Sequence, residues 1–335
     1  MSQGYAEKGA GAAPLIVVDN IKKHYTQSSK LFGLNRSVVK AVDGVSFELA
    51  AGETLGLVGE SGCGKSTTGR AVLYLERPTE GTTRFNGQDL SLLKAEQLRE
   101  LRKDMQIVFQ DPYSSLNVRM KIRDILSEPF RIHGLHTGRE IQMVKELLEM
   151  VGLPPASLDK YPHEFSGGQR QRIVIARAIA LRPKFIVCDE PVSALDVSVQ
   201  SQIVNLFGQL QKELDLTYLF ISHDLSVVRH VSDRVGVMYL GKMVELGDKK
   251  TIFQKPLHPY TQALMSAIPV PNPKLQRQRE KITLRGELPS PLHPPAGCRF
   301  HTRCPWAEAR CSQAEPQWRE AEPGHWVACH LVGET

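Results

Sequence analysis

Gly59-Glu60-Ser61-Gly62-Cys63-Gly64-Lys65-Ser66-Thr67 carries the pattern GxxxxGK[ST] between an apolar run, Thr54–Val58, and a helix-compatible stretch from Thr68. Glycines at that spacing let backbone N–H groups turn inward onto phosphate oxygens, and a helix starting at once behind them adds the positive end of its dipole. Lys65 has the reach to span β- and γ-phosphates, and Ser66 a hydroxyl for Mg2+. Ser61, Cys63 and Thr67 complete the cradle, Cys63 in a slot that demands no reactivity. Far downstream, Phe185-Ile186-Val187-Cys188 runs into Asp189-Glu190. Two carboxylates at the end of an apolar strand suit a ligand for Mg2+, Asp189, and a group that orients or deprotonates a water at the γ-phosphate, Glu190. Each segment alone has a plain alternative, a glycine-rich turn or a helix cap. Their co-occurrence argues for ATP chemistry.

These residues need a scaffold that brings strand ends together. From Leu15 to about Ser266, short strand-like runs alternate with helical patterns, which predicts an α/β architecture with a mixed or largely parallel sheet. The predicted strands are Leu15–Val18, Thr54–Val58, Gln106–Phe109, Phe185–Cys188, Thr217–Ile221 and Val235–Leu240. The runs at 185–188 and 217–221 lack alternation, as strands buried on both faces do. Helical spacing relates Ile141, Val144, Leu147, Leu148 and Val151, and again Val199, Ile203, Leu206, Leu210 and Leu214. Between Gln110 and Pro183 the strand signal vanishes, which predicts a helical insert. After Ile268 a Pro-rich, basic linker opens with PVPNP. The expected organisation is a disordered segment at 1–13, a P-loop NTPase core at 14–268 with a helical subdomain at about 111–183, and a small cysteine-rich C-terminal extension at 269–335.

Phe165-Ser166-Gly167-Gly168-Gln169-Arg170-Gln171-Arg172, standing upstream of the acidic pair, resembles the signature of ATP-binding-cassette (ABC) ATPases. The resemblance implies that two cassettes dimerise head to tail, so that Ser166, Gly168 and Gln169 of one face the γ-phosphate held by the other. It also implies that Tyr25 stacks on adenine and that Gln110 senses Mg2+ and the attacking water. Asp196, in Ser193-Ala194-Leu195-Asp196, would communicate across the dimer. His223, in Ile221-Ser222-His223-Asp224, would contact the γ-phosphate. The catalytic set implied is Glu190, His223 and Gln110, with Ser66, Gln110 and Asp189 around the metal.

Longer stretches are similar to the ATP-binding subunits of oligopeptide/dipeptide permeases, the F-type subunit above all: residues 110–119, 161–166, Pro256-Leu257-His258-Pro259-Tyr260-Thr261-Gln262-Ala263-Leu264 and Gly286-Glu287-Leu288-Pro289-Ser290-Pro291. That resemblance implies an ATPase powering import of di- or oligopeptides. Its implied partners are a homologous ATPase, two transmembrane permeases and, through them, an extracytoplasmic peptide-binding protein. The place would be the cytoplasmic face of the inner membrane. The same machine with another cargo (nickel, glutathione, an oligosaccharide) and a non-transport ABC ATPase of repair or translation are the alternatives.

Six cysteines are unevenly placed, with Cys298, Cys304, Cys311 and Cys329 near the end. Clustered thiols in a cytosolic chain suggest a metal site over disulfides, although the spacing lacks the paired CxxC of zinc ribbons. Four thiolates can hold an iron–sulfur cluster, and the resemblance implies a 4Fe-4S centre; zinc and free thiols are the alternatives, with His301 and His330 nearby.

The remaining composition narrows the class. The 335 residues are 41% hydrophobic and 23% charged, which excludes a wholly disordered or fibrous chain. Net charge is +6, spread rather than striped, and gives no nucleic-acid footprint. No apolar run nears the ~18 residues of a membrane-spanning helix, so a membrane role is expected to come through a partner.

Overall fold

A computed structural model describes residues 13–28, 36–269, 282–284 and 286–333. The expected disorder at 1–13 falls, but for its last residue, outside the described residues. The central strands are short and wholly buried. β3 (Thr54–Val58), β7 (Phe185–Asp189) and β8 (Thr217–Ile221) show no exposed position, in keeping with their unbroken apolar sequences. Together with β6 (Met105–Val108) and β9 (Arg234–Tyr239) they form a parallel array in the order β9-β3-β8-β7-β6. The phosphate loop leaves the carboxyl end of β3, one strand from β8 and two from β7, so the loops of interest all open on one edge.

Beyond β9 the sheet turns antiparallel. β10 (Lys242–Asp248) pairs with β9, then β12 (His325–Val327) with β10, and β11 (Arg319–Glu322) with β12. A separate antiparallel sheet holds β1 (Ile16–Ser28), β2 (Arg36–Leu49), β4 (Glu80–Phe85) and β5 (Gln88–Asp89). The six predicted strands are present, β1 running ten residues past Val18. The sequence reading missed β2, β4, β5 and β10–β12. These antiparallel strands are interrupted by bulges and carry charges along them, as in the β1–β2 ladder with register shifts after Val18, Ile21 and Lys23. Strands broken by charges and bulges show no continuous apolar run, even where most positions are buried as in β10.

No strand lies between 110 and 183 among the described residues. Helices α3 (Pro112–Ser115), α4 (Ile122–His133), α5 (Glu140–Met150) and α6 (Gly167–Ile179) fill it, and α7 (Val197–Leu214) packs beside α6. Their apolar faces share one core with β7 and β8, through Phe130, Val144, Leu148, Ile173, Phe207 and Phe220. Helices α1 (Lys65–Val72) and α2 (Ala95–Leu101) join a second core under the antiparallel sheet. A third core lies against β9 and β10 and includes Val228 of α8 (Leu225–Val231), Ile252 of α9 (Lys249–Gln254), Tyr260 of α10 (Pro259–Ser266) and Phe300.

Candidate functional site

The phosphate loop is shaped by glycines. Gly62 and Gly64 have φ of 78° and 103°, a region that favours glycine. A Cβ on Gly64 would stand 2.1 Å from the Ala41 carbonyl oxygen, whereas one on Gly62 would meet nothing within 4 Å. One side of the loop is thus pressed on protein and the other open. Lys65 opens α1 and is buried, its Nζ donating to the carbonyls of Gly59 at 2.8 Å and Glu60 at 3.0 Å. A buried Nζ held by carbonyls rather than a carboxylate has no anionic partner within the protein, which suits an anionic ligand. Ser66 Oγ donates to Asp189 Oδ1 at 2.6 Å, so a hydroxyl and a carboxylate from α1 and the end of β7 already lie together. Burial pushes the Asp189 carboxyl up, against the hydrogen bond from Ser66 and the nearby Arg70. A divalent cation with oxygen ligands would remove that penalty, so the donor set suits Mg2+.

Glu190 follows Asp189 with φ of 48°, left-handed backbone unusual for a residue with a Cβ. Its N–H donates to the Ile221 carbonyl at 3.0 Å, and its own carbonyl accepts from Ser193 Oγ. The turn so fixed aims the carboxylate across the strand ends. Glu190 Oε2 accepts from Gln110 Nε2 at 3.0 Å and meets His223 Nδ1 at 3.1 Å. Gln110, Glu190 and His223 follow β6, β7 and β8, so three separate stretches of chain supply one polar group beside the phosphate loop.

Other expected residues stand apart from this group. Ser166 caps α6, its Oγ accepting from Gln169 N–H at 3.4 Å while Gln169 Oε1 accepts from Ser166 N–H at 3.0 Å. A Cβ on Gly168 would lie 2.4 Å from Val199 Cγ1, so that glycine lets α6 approach α7, which Asp196 caps through Val199 N–H. Ser166, Gln169 and Asp196 are exposed. Tyr25 lies on β1, 37% exposed; burial of its remainder and the Glu76 carboxylate push its hydroxyl up, against Thr67. Cys63 is buried, and desolvation pushes its thiol up.

The cysteine tail corrects the sequence reading. Among the described residues, no group of three or more His, Cys, Asp or Glu side chains is placed to hold a metal ion, so the 4Fe-4S centre expected on Cys298, Cys304, Cys311 and Cys329 is not supported. Burial pushes the Cys298 thiol up to about 11 and those of Cys304 and Cys329 up as well. His301 Nδ1 and His330 Nε2 instead meet the carbonyls of Cys298 and Ala314. Packing and ion pairs hold the segment. Phe300 is buried against Tyr239 and Tyr260, Trp318 stacks on Trp326, and Arg299 pairs with Asp43.

Arg303, Tyr260 and Glu60 were not anticipated as a unit. Arg303 grips the Glu60 carboxylate at 2.7 and 3.1 Å, and Tyr260 Oη accepts from Glu60 N–H at 2.8 Å. Nothing local in the sequence signals contacts spanning so much chain. A second missed feature is a cavity of about 240 Å3 between the end of β6 and α4, lined by Phe109, Glu128, Ile132 and Arg177 among others.

Residues 42–193 match the ABC transporter family, and residues 244–311 match the oligopeptide/dipeptide transporter, C-terminal region. The oligopeptide transport ATP-binding protein AppF of Bacillus subtilis is 58% identical over 324 residues, 96% of this chain and 98% of that one. The oligopeptide transport ATP-binding protein OppF of Salmonella typhimurium is 51% identical over 322 residues, 95% and 96% of the two chains. Among solved structures, CbiO1 of Clostridium perfringens, part of the ABC transporter complex CbiONQ, superposes with a TM-score of 0.62 at 26% identity, covering 72% of this chain and 91% of that one. The ATP-binding cassette MJ0796, a dimer in a post-hydrolysis state with ADP and Pi, gives 0.62 at 27% identity, covering 70% and 98%.

Proposed function

We propose, for a chain that belongs to the ABC transporter ATPases, that ATP hydrolysis here powers import of di- and oligopeptides through a membrane permease complex. The observation that carries the ATPase reading is the meeting of Gln110, Glu190 and His223 beside the Ser66–Asp189 pair and Lys65. The peptide cargo rests on AppF and OppF, both oligopeptide transport proteins that this chain matches end to end.

In this reading the phosphate loop binds the triphosphate through its N–H groups, and Lys65 leaves the Gly59 and Glu60 carbonyls for the β- and γ-phosphates. Tyr25 stacks on the base. Ser66 and Asp189 would hold Mg2+, which would neutralise phosphate charge. Glu190 takes a proton from the attacking water, Gln110 orients that water, and His223 contacts the γ-phosphate. Ser166 and Gln169, exposed at the start of α6, and the half-buried Gly168 beside them reach the γ-phosphate of a homologous subunit in a head-to-tail pair, with Asp196 signalling across the seam.

Two transmembrane permeases are the proposed partners on the other side, fed by a peptide-binding protein. Among the described residues no helix is long and apolar enough to cross a membrane, so attachment at the cytoplasmic face would be peripheral. The cavity beside Phe109 and Ile132 would receive a permease loop. Arg177 of α6 donates to the Ser115 carbonyl at 3.0 Å and pairs with Glu128, while Arg170 lies 4.2 Å over the Tyr113 ring. Movement at 112–128 is thereby tied to the helix that starts at Ser166. The proposed units are the ATPase core at 14–268, its helical part at about 111–183, and the extension from 269.

Glu190→Gln in the complex with permeases tests the reading. MgATP binding is expected to persist while transport stops and turnover falls by about a thousandfold. Sustained turnover by the variant would remove Glu190 as the base, and peptide uptake independent of this chain would remove the cargo assignment.

A further inference from the structure

The carboxyl-terminal segment and α10 both reach the phosphate loop at Glu60. The loop's second residue, Glu60, is held from three directions. Its carboxylate takes both terminal nitrogens of Arg303, a forked geometry that fixes the side chain. Its N–H donates to Tyr260 Oη, and its carbonyl accepts from Lys65 Nζ. Arg303 is itself fixed, only 9% exposed at the side chain, with its guanidinium 5.9 Å over the Tyr239 ring and Nη1 3.4 Å from Tyr239 Oη. Tyr239, Tyr260 and Phe300 pack ring to ring at 4.8 to 5.4 Å, which gives Arg303 and Tyr260 a rigid footing.

A second arm runs behind the loop. Arg299 donates to the Leu240 carbonyl and pairs with Asp43, while Gly241 N–H donates to the Cys63 carbonyl at 2.8 Å. The same turn of tail, 299–303, therefore touches the loop directly at Glu60 and indirectly at Cys63.

The geometry points to Arg303 and Tyr260 as positioning residues for nucleotide binding, through which the carboxyl-terminal segment and α10 together set the shape of the phosphate loop and the standby position of Lys65. This rests on the nucleotide reading of the loop. The coupling is reciprocal: a loop organised by the triphosphate in turn holds Glu60 for Arg303.

Titration of MgATP into the purified full chain tests it. Arg303→Ala is expected to weaken MgATP about tenfold, with the loss falling on KM rather than kcat in the assembled complex. Arg303→Lys, which keeps the charge and loses the fork, falls between. Glu60→Ala combined with Arg303→Ala is expected to be no worse than either alone, the mark of one shared interaction. Tyr260→Phe gives a smaller loss. If Arg303→Ala does not fold, Arg303→Lys carries the test. Wild-type affinity in the folded Arg303 variants, even with a lowered melting temperature, would reduce these contacts to packing and overturn the proposal. Lys65→Ala separates the two readings. Retained binding there sinks the nucleotide site itself, whereas lost binding there beside unchanged Arg303 and Tyr260 variants sinks the positioning role alone.

Discussion

Two loops meet at Glu60: residues 59–64, which follow β3, and residues 298–304, which follow the Pro-rich linker. The first, with Lys65 and Ser66 directly behind it, is built from contiguous residues whose types fit the proposed use, glycines for positive φ, a lysine for phosphate and a serine for Mg2+. In the second, the residues that catch the eye are Cys298 and Cys304, and among the described residues they join no group placed to hold a metal. The residues at work are Arg299, Phe300 and Arg303, each ordinary in sequence and each joined to a distant part of the chain. A motif earns its meaning from its structural context. Phosphate-loop residues bring theirs along, a strand before and a helix after, while cysteine spacing fixes no geometry.

The largest expected effect breaks the tail side. Phe300 is 1% exposed and packs on Tyr239 and Tyr260, so Phe300→Ala opens a cavity among rings that hold both Arg303 and Tyr260. A loss of about 3–5 kcal/mol is expected in denaturant unfolding. A loss below about 1 kcal/mol would show that the tail merely lies against the core and that the two loops are independent.

Acid separates the two regions next. His258 is fully buried, its Nδ1 accepting from Tyr260 N–H at 3.0 Å, so the ring is neutral. Burial lowers its pKa to about 4, with Glu245 opposing. The unfolded chain then binds more protons between about 6.5 and 4. Stability from this group is complete above 6.5 and is lost as pH falls toward 4, by roughly 3 kcal/mol. Asp189 has the opposite sign, because burial raises its pKa and the folded state gains protons there as pH falls. All three tryptophans, Trp306, Trp318 and Trp326, lie in the tail, so their fluorescence reports that side. Its unfolding midpoint is expected to drop across this window and to flatten in His258→Asn. A pH-independent midpoint in the wild type would mean that protonation of His258 is not linked to folding.

Legibility follows the same division. Glu190 stood out as a carboxylate just beyond an apolar run, whereas Gln110 and His223 were named through the family resemblance; parallel strands bring all three strand ends to one edge. β2 and β10 were not readable, being antiparallel strands broken by register shifts. The Glu60–Arg303 pair spans 243 positions, and no periodicity or motif connects residues that far apart. The cysteines misled because neighbouring thiols do not by themselves make a ligand set: Cys298 senses Cys304, Cys311 and Cys329, yet no group among the described residues is placed to hold a metal.

The smallest effect sharpens the nucleotide side. Ser166 Oγ caps α6 at 3.4 Å, a long bond, while the reciprocal bond from Ser166 N–H to Gln169 Oε1 is the shorter one at 3.0 Å. Ser166→Ala removes only the former, so the helix start survives and stability is expected to fall by no more than about 0.5 kcal/mol, the low end for a lost cap. In the paired complex, by contrast, turnover should drop while MgATP binding to the isolated chain stays at the wild-type level, because the hydroxyl faces solvent here and would face the partner's γ-phosphate there. A stability loss near 2 kcal/mol with unchanged turnover would make Ser166 a helix cap and nothing more. The pair of measurements therefore separates a residue that builds its own subunit, as Phe300 does, from one that completes another's site.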